Sequence, residues 1–210
     1  MKRLVIVIVA ACGSKPPTPQ PVSDPTTVVT TPASQPSMAP PLKRGTKVAC
    51  EQLIDAAAFA KALGESDPLT VRDDSKQNVE AAGVCSLVRG GAPLSKAEQE
   101  KRLKLTGRLG VLPGDTVCEV AVYCWTYEDI AHAQQQCDVR GGARDKSMGA
   151  THACRELVAQ GAGDVARYHV LDNDTGCMLR VNGGPANVDN ESIYACARTA
   201  LDTITPARLK

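Results

Sequence analysis

Eight cysteines spread from Cys50 to Cys196 constrain what this chain can fold into more than any other feature of it. They are Cys50, Cys85, Cys118, Cys124, Cys137, Cys154, Cys177 and Cys196, an even set, while a ninth, Cys12, stands apart near the start. Zinc or thiol redox chemistry calls for C-x2-C pairs or a Cys-His cluster. The sequence has no C-x2-C: Cys118 and Cys124 are six positions apart, Cys124 and Cys137 thirteen. In an exported chain such a set reads as four disulfides, each stabilising by about 2–4 kcal/mol. Eight cysteines allow about 105 connectivities, and spacing alone selects none of them. The staples matter because aromatic anchors are scarce: Phe59, Trp125 and the tyrosines at 123, 127, 168 and 194 are the whole supply. A core of Ala, Val and Leu buries less area per residue than one with many rings.

Export is read from the first dozen residues. Lys2-Arg3 followed by Leu4-Val5-Ile6-Val7-Ile8 has the layout of a secretory signal peptide, residues 1–11. The next four residues, Val9-Ala10-Ala11-Cys12, resemble the lipobox of bacterial lipoproteins. That resemblance implies cleavage before Cys12, diacylation of its sulfur and acylation of its amine, palmitate being a typical chain. It places the protein on the cell membrane or outer membrane, facing the periplasm or exterior, with the lipid bilayer as its first partner. The apolar run is less than half of the roughly 20 residues a spanning helix needs, so the anchor would be lipid. Two or three acyl chains hold firmly where one holds only marginally, each buried methylene contributing about 0.8 kcal/mol.

Residues 12–45 form a second compositional zone. Nine of the fourteen prolines fall there, interleaved with Ser and Thr. Proline fixes φ and removes a backbone donor, and little apolar surface is present to offset ordering entropy, so an extended, structureless tether is expected. Fully stretched, its 33 or so residues would reach about 100 Å at roughly 3.1 Å each. Lys43, Arg44 and Lys47 cluster where it ends, as a solvated charge run.

Residues 46–210 make the folded part, with candidate halves 46–146 and 147–210. Cys50-Glu51-Gln52-Leu53 echoes Cys154-Arg155-Glu156-Leu157, and both Cys85 and Cys177 open a C-x-L that runs on to a double glycine. Cys118 to Cys137 and Cys177 to Cys196 each span 19 positions from a strand-like to a helix-like segment, an echo in a different alignment. Periodicity predicts helices over 50–63, 95–105, 126–137, 153–160 and 190–204. The second opens with a capping box, Ser95-Lys96-Ala97-Glu98. A strand is expected over 117–125, a loop over 140–144, and a hairpin pairing 165–171 with 177–181. The fold class is α+β: an antiparallel sheet packed by helices and stapled by disulfides, with the echoes suggesting a degenerate duplication.

Chemistry is harder to assemble. The formal net charge of +1 argues for no nucleic-acid partner. Asp172-Asn173-Asp174-Thr175-Gly176 begins like a calcium loop, making Asp172 and Asp174 the nearest metal candidates, but Cys177 and Gly183 stand where an EF-hand needs Gly and Glu. A plain turn explains the same residues. His132, His152 and His169 fall on three separate segments with no H-E-x-x-H, G-x-S-x-G or P-loop around any residue, so no catalytic residue is nominated and no cofactor expected. Trp125, Arg140 and Arg144 are candidate binding residues: the first as an exposed anchor or a cover for a disulfide, the others on a loop running to Met148. The expectation is a non-enzymatic envelope lipoprotein that binds or scaffolds an envelope protein or polymer. The alternatives are an enzyme acting on envelope polymer, and an inhibitor or sensor presenting a stapled loop.

Overall fold

The computed structural model describes residues 42–125, 130–160 and 163–210, so the signal segment, Cys12 and most of the proline-rich stretch lie outside it. Helix formation begins at Cys50, but the single helix expected over 50–63 is two. Helix α1 spans Cys50–Leu53, and α2 spans Ala56–Leu63. The break falls at Asp55, whose carboxylate accepts the Ala58 amide proton as an N-cap, while Ile54 adopts extended backbone. A short acidic side chain satisfies a fresh helix start better than it continues an old one. Gly64, left-handed at φ 65°, stops α2 as the sequence predicts.

Strands β1 (Thr70–Asp73) and β2 (Gly83–Val88) follow, then helix α3 (Lys96–Thr106) with both hydrogen bonds of its capping box in place. Strand β3 is Thr116–Tyr123 and helix α4 is Ile130–Val139; the expected cap at 126–129 lies outside the described residues. Ala143–Arg144, expected as loop, forms a two-residue strand β4. The helix expected over 153–160 is instead β5 (His152–Gln160), hydrogen-bonded along its length to β6 (Gly163–Leu171). Cross-strand pairing overrides the helical preference of Ala, Arg, Glu and Leu here. Strand β7 (Met178–Gly183) and helix α5 (Asn190–Thr203) follow as expected, with Ile193, Ala197 and Ala200 buried, and a short 3-10 helix over Pro206–Leu209 comes after them.

The strands form one antiparallel sheet in the order β1-β2-β3-β7-β6-β5-β4. Two meanders, β1-β2-β3 and β5-β6-β7, meet where β3 pairs with β7. One face carries Val120, Val122, Val170, Leu179 and Val181 and packs with Leu53, Phe59, Ile193 and Ala197 from the helices into the main core. All eight cysteines pair. Cys50–Cys85 joins α1 to β2, Cys118–Cys196 joins β3 to α5, Cys124–Cys177 bridges the adjoining ends of β3 and β7, and Cys137–Cys154 joins α4 to β5.

Of the two sequence echoes the 19-position one holds, since Cys118 to Cys137 runs from β3 to α4 and Cys177 to Cys196 from the residue before β7 to α5, whereas the other has a local explanation. Cys50 opens a helix whereas Cys154 sits inside a strand, so the C-x-x-L match joins unlike elements. The double glycines answer similar constraints at two strand ends. A Cβ on Gly90 would run into the Pro68 carbonyl, and one on Gly184 into the Thr116 carbonyl.

Candidate functional site

Period-two alternation turns the other face of the sheet toward a row of polar side chains. Arg72, Ser86, Glu119, Asn182, Arg167 and Glu156 are register partners on successive strands β1, β2, β3, β7, β6 and β5. In the next row Ala121, Arg180, His169 and Cys154 are aligned in the same way. The Cys137–Cys154 bridge therefore brings α4 onto this face at its β5 end.

The row is hydrogen-bonded across the strands. Arg167 donates from Nε to Asn182 Oδ1 (2.7 Å) and from Nη1 to Glu156 Oε1 (2.9 Å), and Asn182 Nδ2 donates to Glu119 Oε1 (3.2 Å). Glu119 also lies 3.5 Å from Arg180 Nη2, and that guanidinium sits 5.4 Å from the centroid of the Tyr123 ring, a cation–π distance. At the β1 end Arg72 donates to Asp74, which also accepts from Ser86 Oγ at 2.7 Å. His169 occupies the α4 end, with Nε2 3.4 Å from Glu156 Oε1 and Nδ1 3.4 Å from Arg140 Nη1.

Burial sets the charges at that end. Burial first, and the Arg140 guanidinium second, push His169 down to about 4 despite Glu156, so its ring is neutral at pH 7. Burial would raise the Glu156 carboxyl, but His169 and Arg167 outweigh it and hold it below the ordinary carboxylate value. His152, two positions before Cys154 on the same face of β5, is also lowered, by burial and by Arg144. A neutral histidine beside a carboxylate has the composition of a general-base pair. Here, however, the His169 and Glu156 side chains are only 8% and 7% exposed, and Arg167 holds the carboxylate. The pair is internal structure. What meets solvent is the partly exposed arginine and carboxylate heads of Arg72, Glu119, Arg167 and Arg180.

The residues singled out by sequence land in several places. Arg140 reaches His169, and Arg144 pairs with Asp138 at 3.6 Å, so both lie beside the α4 end of the polar face. The segment from Arg140 to Met148 is tied to the sheet edge, where β4 pairs with β5, Asp145 N donates to Ala153 O and Met148 is fully buried, while Arg140, Ala143, Arg144, Lys146 and Ser147 stay exposed. Trp125 packs partly buried against the main core next to the Cys124–Cys177 bridge, with Nε1 3.4 Å from Glu80 Oε2. Asp172 is buried in the β6–β7 turn, accepting from Thr175 Oγ1 and from the Asp174 amide, and burial raises its carboxyl. These are bonds of a tight turn; Asp174 remains exposed. Among the described residues no three His, Cys, Asp or Glu side chains cluster in a way that could hold a metal ion. Lys47, assigned to a solvated run, donates to the Asn78 and Ala81 carbonyls, and Arg44 pairs with Glu80 at 3.2 Å.

Sequence reasoning missed Glu119, Glu156, Arg167, Arg180 and Asn182. The available signal was polar residues at alternate positions, Arg167/His169 and Arg180/Asn182, within otherwise apolar strands. Clefts among the described residues lie elsewhere, two of them on the helix side. One of about 220 Å³ at the start of α5 is lined by Arg89, Arg108, Asn187 and Asp189; one of about 570 Å³ is lined by Arg155, Tyr168 and Tyr194 among others. Neither includes a histidine. No known protein family, curated protein or solved structure matches this chain.

Proposed function

We propose that this chain is a cell-envelope lipoprotein, anchored through acylated Cys12, whose disulfide-stapled domain is a non-enzymatic binding module carried on a proline-rich tether. One observation carries the reading: the eight cysteines of the folded part are bridged to one another, and the ninth cysteine of the sequence is Cys12. Four disulfides fit an oxidising compartment, and the odd cysteine falls at the lipobox-like Val9-Ala10-Ala11-Cys12. Binding is favoured over catalysis because the His169–Glu156 pair is enclosed, whereas the ladder of arginines and carboxylates is offered along an open sheet face. Partly exposed, geometrically fixed guanidiniums suit recognition of carboxylate or phosphate groups on a partner.

Metabolic labelling with an alkyne analogue of palmitate tests the anchor. The wild type should take up label and fractionate with membranes; Cys12→Ala should do neither. Label retained in Cys12→Ala, or a wild type that stays unlabelled and soluble, would overturn the reading.

A further inference from the structure

Strand β5 runs on past its outer neighbour. β4 pairs only with Arg155 and Cys154, whereas β6 follows β5 on the other side as far as Gln160. Among the described residues nothing pairs with the outer side of 156–160. Antiparallel strands exchange hydrogen bonds at alternate residue pairs, so every second residue of an edge points its N–H and C=O outward. On β5 these are the odd-numbered residues: Asp145 N reaches Ala153 O from outside, and Ala166, the register partner of Leu157, donates away from β5 to Asn190 Oδ1 at 2.8 Å. Leu157 and Ala159 are thus left with open backbone groups, and Leu157 is 55% exposed. Proteins usually blunt such edges with charge or proline. The opposite edge does so through Arg72 and Asp73 of β1; Leu157-Val158-Ala159 does not.

We infer that this edge takes up a short extended peptide segment of another protein as an added strand. Bonding to Leu157 and Ala159 would supply about four main-chain hydrogen bonds. Selectivity has a structural source: Arg155, two residues earlier on the same face as Leu157, lines the cleft of about 570 Å³ together with Tyr168 and Tyr194. The segment that fits is free of proline and apolar opposite Leu157. A second copy of this chain fits worse, because β4 already fills the lane beside Arg155. Two-fold pairing that sets Leu157 against Ala159 of the copy brings Gly161 of the copy onto Arg155, where Ala143 lies. Sliding the copy clear of β4 pairs Ala159 with Ala159 and leaves Leu157 past the end of the copy's β5. A peptide carries no hairpin and can stop short of Ala143. The inference rests on the binding-module reading, to which it gives a partner, and requires neither the anchor nor the polar face.

The test uses the full chain carrying Cys12→Ala, with heptapeptides selected on it from a random display library. Without peptide, the Leu157 and Ala159 amides should exchange with solvent at least tenfold faster than that of Val158. Saturating peptide should slow both by at least tenfold. Ala159→Pro, which removes one outward N–H and none directed at β6, should weaken binding at least tenfold, while Ala159→Val should keep it. Methylating the peptide's backbone nitrogens one at a time should abolish binding at alternate positions, a readout that needs no variant of the protein. Selection that yields no peptide, or binding indifferent to Ala159→Pro and to methylation, would overturn the inference. Protection of the two amides that rises with protein concentration alone would also overturn it, by assigning the edge to a second copy. A peptide that leaves them unprotected while protecting the polar face would sink this site and leave the binding module standing. Because this protein lacks Cys12, the result is independent of whether the anchor exists.

Discussion

Replacing His169 with Gln should flatten the acid sensitivity of the fold, by an amount set by the site. In the native protein His169 is flanked by Arg140 from the end of α4, Arg167 on its own strand and its register partner Arg180 on β7, with Glu156 on β5 as the opposing charge. Its native value of about 4 lies below the 6.5 of a free imidazole. Unfolded chains therefore bind the proton first as pH falls. The associated stability is fully present above about pH 6.5 and is lost as pH falls toward about 4. A tenfold difference in proton affinity between the folded and unfolded chains corresponds to about 1.4 kcal/mol, so the whole window is worth about 3 kcal/mol, of which about 2 kcal/mol should go between pH 7 and pH 5. Urea unfolding at those two pH values, with disulfides intact, reads this as a difference in midpoint. His169→Gln should lose about 2 kcal/mol less than wild type over that interval, retaining whatever His152 contributes in the same direction. Equal losses in the two proteins would refute the argument that His169 is held neutral between arginines.

Disulfide removal should follow loop length. By chain entropy Cys118–Cys196, with 78 residues of separation, is worth about 4.5 kcal/mol and Cys137–Cys154, with 17, about 3 kcal/mol. Thermal denaturation of the two Cys→Ala pairs should show the first to be the less stable; the reverse order would contradict the assignment. Gly183→Ala should cost about 1–3 kcal/mol, because a Cβ there would lie 2.6 Å from the Asn187 carbonyl and 2.8 Å from Ile193 Cδ1. A neutral effect in chemical unfolding would show that the turn into α5 opens freely enough to admit a methyl group.

Much of the architecture could be read from local chemistry. The capping box of α3, the stop at Gly64, the hairpin through Asp172–Gly176 and the inward face of α5 depend on neighbouring residues, and each stands where the sequence puts it. The failures were set from afar. Strand β5 is composed of helix-permissive residues and becomes a strand because β6 pairs with it, while Asp55 ends a helix that a periodicity window runs straight through. The polar face was hidden for the same reason. Glu119, Asn182, Arg167 and Glu156 come from four strands, and only the β3–β7 junction, a pairing between segments some 60 residues apart, puts them in line. Disulfide connectivity follows that topology too, since Cys124 meets Cys177 only because their strands adjoin.

If one cysteine carries lipid while the other eight carry the fold, intact-mass spectrometry of the protein from native membranes, without reduction, should show both at once. The expected species is a chain beginning at Cys12, heavier by a diacylglyceryl group and by any N-acyl chain, and lighter by eight hydrogens than its reduced form. A chain that begins at residue 13 or later, or carries no lipid mass, or holds free thiols among Cys50 to Cys196, would contradict that division of labour.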